Sequence, residues 1–499
     1  MPQKPERLEV LRKLSFGHRV AEEELKDLAK YFVETEQWRR IHSGEIDIVY
    51  GPKGSGKSAL YALLMAKTDE FFDRGVVLVS CENPRGTPVF SGLISEPPTS
   101  QREFVNLWKL YFLLLIGDVL NEYAPEDKGT KALTKRLTES GLLKKGRTLT
   151  SLLQAAFDYV RKGPKSISTE VKIDPTTGMP TGVGGTITFH EPNAEESNRG
   201  LMSIDNLFKT ADAVLTSLPV TIWILMDRLD VAFADSAELE ENALRALFQT
   251  YLDFLSLEQI RLKIFLRTDV WRRLTKRGFR EASHITRSVT IVWDKPSLVN
   301  LVARRALQAP ELIQFCEVGA TDVLASNAAQ IELLNKIFPD QVDIGPNKPK
   351  TFDWLLSRTA DGTSQSAPRE LIHLLTAARD AELRKLDLGT PEGTVDTLFS
   401  RSALKDGLPE VSKNRLEQTL FAEYPDLRDK IVALQQEKTS QAPETLARIW
   451  KSSLPEASAA AEQLVEIGFF QKRGPKDDPE YWVPFLYRPA LQMVQGAAD

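Results

Sequence analysis

The chain has 499 residues, with 42% hydrophobic and 27% charged content, room for roughly two to four domains with their own cores. A net charge of -5 gives no bulk attraction to nucleic acid or membrane, so any such contact must come from local patches. Two cysteines, Cys81 and Cys316, exclude a disulfide framework and a zinc ligand set, and are expected to be small buried hydrophobes.

In chain order, residues 1–40 form an expected N-terminal helical segment without an apolar signal core, and LYFLLLIG is too short to span a bilayer. No membrane partner is expected, and the cytoplasm is the expected compartment. Next comes IDIVYGPKGSGKSALYALLM. From Gly51 to Ser58 it has a glycine, four residues, then Gly-Lys-Ser, with a predicted strand (IDIVY) before it and a helix (ALYALLMAK) after it. Gly51, Gly54 and Gly56 permit torsions and close approach that a side chain blocks. Lys53 and Ser55 complete a loop whose N–H groups form an anion nest, backed by about half a positive charge at the helix start. Lys57 is placed to reach β and γ phosphates and the Ser58 hydroxyl to ligate magnesium. The pattern therefore predicts ATP and Mg2+, whereas a chance glycine-rich turn would lack the strand and helix in register.

VVLVSC predicts a second core strand. About 140 residues separate it from the next one, far more than a crossover needs. Over about residues 100–200, FVNLWKLYFLLLIGDVL is apolar nearly all round and predicts a buried helix. KALTKRLTESGLLKKGRTLTSLLQAAFDYV adds helix with a basic stretch. STEVKIDPTTGMPTGVGGTITFHE alternates around a Gly/Pro-rich middle and predicts a hairpin, either a surface decoration or a contact for a partner.

The apolar run VTIWILM predicts a buried strand that delivers Asp227 and then Asp230. Asp227 is placed to hold magnesium through water, because magnesium keeps much of its hydration; capping the next element is the alternative. KIFLRTD ends in Arg267, Thr268 and Asp269. Polar residues at a strand tip suggest a γ-phosphate or water sensor, Thr268 first and Arg267 second, against a solvated strand end. With SVTIVW there are five apolar runs separated by helical segments, which predicts a parallel sheet covered on both faces. The expected core spans residues 41–293.

TDVWRRLTKRGFREASHITR carries six arginines and lysines. Residues 294–390 are strongly helical and suit a lid. Within them GTSQSAPRELIHLLTAARDAEL predicts a serine cap, Pro368 in the first turn and Arg369 beside it. Over residues 391–499, helices run into IGFFQKR, a turn, and YWVPFLY, which describes a winged helix. Lys472, Arg473 and Lys476 cluster at its wing tip in a domain with more acids than bases, so DNA contact and protein docking both stay open.

The strand order, the phosphate loop and the DRLD element resemble the AAA+ and STAND branch of P-loop ATPases. FGHRVAEEELKDLAKYFVETEQW, GPKGSGKSAL and DRLD are especially similar to bacterial stand-alone P-loop ATPases, some of them in defence settings, with the layout of origin-recognition ATPases. The resemblance covers nearly the whole chain, and the phosphate loop and aspartate strand are its sharp elements. It implies an α/β fold: a five-stranded parallel P-loop ATPase core with a helical insertion, a helical lid and a C-terminal winged helix. Many AAA+ proteins place a glutamate directly after the magnesium aspartate; here Arg228 stands there, and the resemblance makes Asp230 the water-activating group. Pairing of Asp230 with Arg228 or a lid arginine is the alternative, and Glu240 and Glu241 are weaker substitutes. Aspartate reaches less far than glutamate, so slow hydrolysis is expected. The resemblance also makes Arg369 the residue reporting γ-phosphate to the lid, against an ordinary surface arginine. In an oligomer, Arg277, Arg280 or Arg287 would serve a neighbour's nucleotide, worth about 10³ to 10⁵ in rate, against a solvated helix face.

No metal spacing joins the histidines, and no Gly-x-Ser-x-Gly elbow or LSGGQ-like run occurs. The expected function is ATP binding with slow hydrolysis, switching an action on DNA or an effector protein in phage defence or genome maintenance. Alternatives are phosphotransfer to a small acceptor and a nucleotide-stabilised assembly without turnover.

Overall fold

A computed structural model of the chain describes every residue except 1–4, 19–31, 82–99, 144–147, 163–170, 174–179, 184–185, 199, 230–235, 277, 391–396, 476 and 499. The chain divides into two compact units. One holds Glu36–Gly51 and Lys57–Thr290; the other holds Met1–Thr35, Pro52–Gly56 and Ile291–Asp499. Each has its own hydrophobic core.

The first unit is built on β1 (Ile48–Gly51), β2 (Val76–Ser80), β3 (Thr221–Met226), β4 (Ile260–Arg267) and β5 (Ser288–Thr290). They form one five-stranded sheet in the order β2–β3–β4–β1–β5, and every pair is parallel. The fold is therefore the α/β class read from the sequence, with a sheet consistent with a P-loop ATPase core. Ile222, Ile224, Leu225 and Met226 are fully buried, which is why β3 carries no polar face. Gly51 lies opposite Arg267, and Met226 opposite Ile264, so β1, β4 and β3 end along one edge of the sheet.

Helices α1 (Lys57–Ala66), α2 (Gln101–Tyr123), α3 (Lys128–Glu139), α4 (Leu149–Lys162), α5 (Ile204–Ser217), α6 (Ala237–Phe254) and α7 (Thr268–Lys276) belong to this unit. The apolar sequence of α2 is explained by its place in the core, where Phe104 and Leu107 through Gly117 are all buried. Its polar atoms are satisfied there. Trp108 Nε1 donates to the Ala243 carbonyl at 2.8 Å, and Lys109 lies between Asp205 (2.9 Å) and Asp253 (2.7 Å). Gly117 lets α3 close in, since a Cβ there would lie 2.6 Å from a Leu137 methyl. In the insertion, Val171–Ile173 pairs antiparallel with Pro180–Val183, the connecting turn lying outside the described residues.

At the edge where the strands begin, a buried ionic group crosses the sheet. Lys263 Nζ contacts Asp47 Oδ1 at 2.8 Å and donates to the Ile46 carbonyl at 2.6 Å, while Arg287 Nε lies 2.7 Å from Asp47 Oδ2. Asp47 and Lys263 are 1% and 2% exposed, so each needs the other. The Lys263 ammonium also sits 4.1 Å from the Trp223 ring.

The second unit begins with helix Arg7–Lys13, whose Val10 and Leu11 enter a core shared with buried residues between Leu298 and Leu491. Its larger helices are α8 (Lys295–Ala306), α9 (Asn327–Ile337), α10 (Thr351–Thr359), α11 (Pro368–Asp387), α12 (Leu408–Arg415), α13 (Pro443–Trp450) and α14 (Leu454–Glu466). The N-cap of α11 is Ala367, without a side-chain cap. This corrects the expected serine cap: the Ser366 hydroxyl instead donates to the Leu356 carbonyl at 2.8 Å, and Pro368 opens the helix with no N–H to satisfy. Strands β6 (Lys438–Gln441), β7 (Gln471–Arg473), β8 (Glu480–Trp482) and β9 (Val494–Ala497) form a sheet in the order β7–β8–β6–β9. The run β6, α13, α14, β7, β8 has the layout of a winged helix. Strand β9, parallel to β6, adds an edge that the sequence pattern did not suggest.

Candidate nucleotide site

Within the first unit, β1 leads to Gly51 and α1 begins at Lys57. Gly51 is strand backbone, paired with Arg267, and does not take a left-handed torsion. Lys57 is 9% exposed, and its Nζ donates to the Gly51 carbonyl at 2.9 Å. The ammonium is thus drawn back across the loop it follows. Ser58 is partly buried on the first turn of α1.

Asp227 is the first residue beyond β3 and is 6% exposed. Arg228 follows with φ +60, a left-handed conformation that costs a non-glycine residue about 1–2 kcal/mol. Asp230 lies outside the described residues. Arg267 closes β4 and is held by Asp269 through two contacts of 3.0 and 2.8 Å. Thr268 is not a solvated strand tip: it opens α7, and its Oγ1 is buried without a hydrogen-bond partner among the described residues. An orphaned hydroxyl costs about 1–3 kcal/mol, so its retention suits a ligand group or water. Thr268→Val is expected to leave thermal stability equal or higher and ATP affinity intact while lowering turnover by about 10²-fold; a calorimetric melt beside single-turnover kinetics checks this, and unchanged turnover would remove Thr268 from the chemistry.

Three of the remaining candidates are engaged elsewhere. Glu240 pairs with Arg273 and Glu241 with Arg245, which ties both down as substitutes for a water-activating acid. Arg287 is committed to Asp47, Arg280 sits in an exposed 3-10 turn, and Arg277 lies outside the described residues.

Within the second unit, residues 52–56 of the loop meet α11. Gly54 (φ +81) and Gly56 (φ +97) both occupy the left-handed region. A Cβ on Gly54 would come within 3.0 Å of Arg369 Cβ and 3.4 Å of Glu370 Oε2. Arg369, on the first turn of α11, therefore packs directly on the loop. Trp293 Nε1 donates to the Ser55 carbonyl at 2.8 Å, and Lys53 pairs with Glu423. Around these contacts lies a small cleft lined in part by Lys53, Ser55, Trp293, Asp361, Glu370 and Arg415. Ser55 Oγ and Glu370 Oε2 are buried without partners among the described residues. Glu370 Oε1 accepts from Arg415 at 2.8 Å, and Arg415 lies 3.5 Å from Asp361, whose carboxyl burial holds above its ordinary range in spite of that cation. Glu370, Glu423, Trp293 and Arg415 were not identified from the sequence, and no local spacing marks them.

Within the first unit, a lysine at the head of a helix, a buried aspartate at the edge where the strands end, and on the same edge a threonine hydroxyl orphaned among the described residues fit a triphosphate. No family model matches the chain, and no curated protein matches it. Among solved structures it is similar to the ORC2 protein of Aeropyrum pernix in ADPNP–ADP complexes, at 11% identity over 97% of each chain. The TM-score of 0.34 is too low for that likeness to carry weight, and the class rests on the sheet and the loop.

Proposed function

We propose that this chain is a cytoplasmic P-loop ATPase that binds ATP, hydrolyses it slowly and uses the change to switch an action on DNA or an effector protein, in phage defence or genome maintenance. The observation that carries the reading is the loop from Gly51 to Ser58, with left-handed Gly54 and Gly56 between a parallel strand and a helix that begins at Lys57. Lys57 exchanges the Gly51 carbonyl for β and γ phosphate oxygens. Ser58 and Asp227 would hold magnesium, which when bound supplies charge neutralisation across the phosphates. Thr268 positions the attacking water or the γ-phosphate, Asp230 activates that water, and Arg369 reports γ-phosphate to α11. Activation is accompanied by oligomerisation in this reading.

ATP turnover by the purified chain, with and without DNA, tests it. Wild type is expected to form ADP without an acceptor, and Asp230→Asn to bind ATP but not turn it over. ADP formed only with an added acceptor would make the chain a phosphotransferase. Binding without any turnover would leave a nucleotide-stabilised assembly. Normal hydrolysis by Asp230→Asn would make that residue structural.

A further inference from the structure

The second unit carries a group that the nucleotide reading does not use. Three arginines from separate elements converge on two aromatic rings: Arg358 from α10, Arg473 from β7 and Arg488 from the short helix Arg488–Leu491. The Arg473 guanidinium lies 3.7 Å and that of Arg488 4.5 Å from the Trp482 ring centre. Arg488 also lies 4.1 Å and Arg358 3.7 Å from the Phe485 ring centre. The two rings meet edge to face at 5.4 Å. The result is a row, Arg473–Trp482–Arg488–Phe485–Arg358, in which each ring already carries two guanidiniums.

Like charges so close repel, and the chain offers few acids against them. Asp343 is 3.8 Å from Arg358 but is shared with Lys405 at 2.7 Å and the Trp354 indole N–H at 2.9 Å. Glu480 acts on Arg473 while accepting from the Ser440 hydroxyl. Arg488 gives its Nε to the Val483 carbonyl at 2.8 Å, and its Nη2 is buried with no partner among the described residues. Burial, then the charges of Arg358 and Arg473, push the Arg488 guanidinium down to about 10, still charged at neutral pH. Arg473 donates from Nε and Nη2 to Gln471 Oε1 at 2.9 and 2.6 Å, and Arg358 from Nη1 to Ser357 Oγ at 2.9 Å. These acceptors are neutral, and a concentration of positive charge with few carboxylates against it is expected where an anion is received.

We propose that this arginine–aromatic row is a binding site for the backbone phosphates of a nucleic acid. The rings are covered by guanidiniums, so bases have no free face to stack on, and what the row offers is N–H edges suited to phosphate oxygens. Recognition is therefore by backbone and independent of sequence. The row involves α10 and the residues after β8 as well as the wing, beyond the basic tip formed by Lys472 and Arg473. It takes up the DNA arm of the function proposed above, but its test needs no nucleotide.

The experiment is fluorescence anisotropy of a labelled mixed-sequence duplex, and of the same single strand, titrated with the full chain from about 50 to 200 mM salt. Wild type is expected to bind with a steep salt dependence. Arg473→Gln and Arg358→Gln should each weaken binding by about tenfold and reduce the slope of log affinity against log salt by about one. Arg473→Lys should keep the slope, and the titration is run without nucleotide, which separates this inference from the ATPase reading. Arg473 is exposed, so its variants are expected to melt as wild type does. Slopes and affinities unchanged in both glutamine variants would overturn the site. So would binding of inorganic phosphate or a phosphopeptide without binding of either nucleic acid.

Discussion

Lys57→Ala is expected to abolish ATP binding while barely changing the stability of the unliganded protein. In the structure the ammonium donates to the Gly51 carbonyl, and a hydrogen bond of that kind contributes about 1 kcal/mol net. Its removal also relieves a charge that is 9% exposed. The two terms oppose each other, so the melting midpoint without ligand should stay close to that of wild type. With ligand the difference is large. ATP and magnesium at a hundred times the dissociation constant stabilise a binding-competent chain by about 2.7 kcal/mol, and the variant should show none of it. Paired thermal melts with and without ATP measure this directly. A full ATP-induced shift in Lys57→Ala would mean that the lysine is not a phosphate ligand and that the loop binds nothing through it.

Asp47→Ala should be the most destabilising single change of charge in the first unit, by about 3–5 kcal/mol, because it leaves a lysine that is 2% exposed without its counter-ion. Arg287, at 37% exposure, can turn toward solvent; Lys263 cannot. The double variant Asp47→Leu, Lys263→Met should regain much of the loss, since a buried pair replaced by apolar groups is often neutral. Urea midpoints for the single and double variants decide between this and a merely local packing defect, in which case the double variant would be the worse one.

The same lysine makes a prediction for pH. Burial, against the pull of Asp47, brings Lys263 down to about 8 from 10.5. The folded chain therefore releases this proton first, and between pH 8 and 10.5 the unfolded chain holds more protons, so the contribution to stability rises with pH over that window by up to about 3 kcal/mol. Arg287 keeps Asp47 paired after Lys263 loses its charge. The difference in urea midpoint between wild type and Lys263→Met should shift in favour of wild type from pH 8 to pH 10. No shift would mean that Lys263 stays charged throughout.

Much of this protein was determined locally. Five apolar runs became five parallel strands, and β1 and β3 are buried because β-branched and aromatic residues without a polar face must be covered on both sides. The apolar helix α2 became the buried one for the same reason, and the course of the loop from Gly51 to Ser58 follows from the left-handed torsions of Gly54 and Gly56. What the tertiary structure decided concerns partners far apart in the chain. Periodicity could not show that Thr268 opens a helix with its hydroxyl orphaned, or that α11 presses Arg369 and Glu370 onto Gly54. Nor could it show that Asp47 meets both Lys263 and Arg287, or that Arg358 and Arg473 share one aromatic row with Arg488. Spacing along the chain reports which face a residue takes within its own element, whereas the partner of a charge or a hydroxyl is chosen only when separate elements pack and remove water from around it.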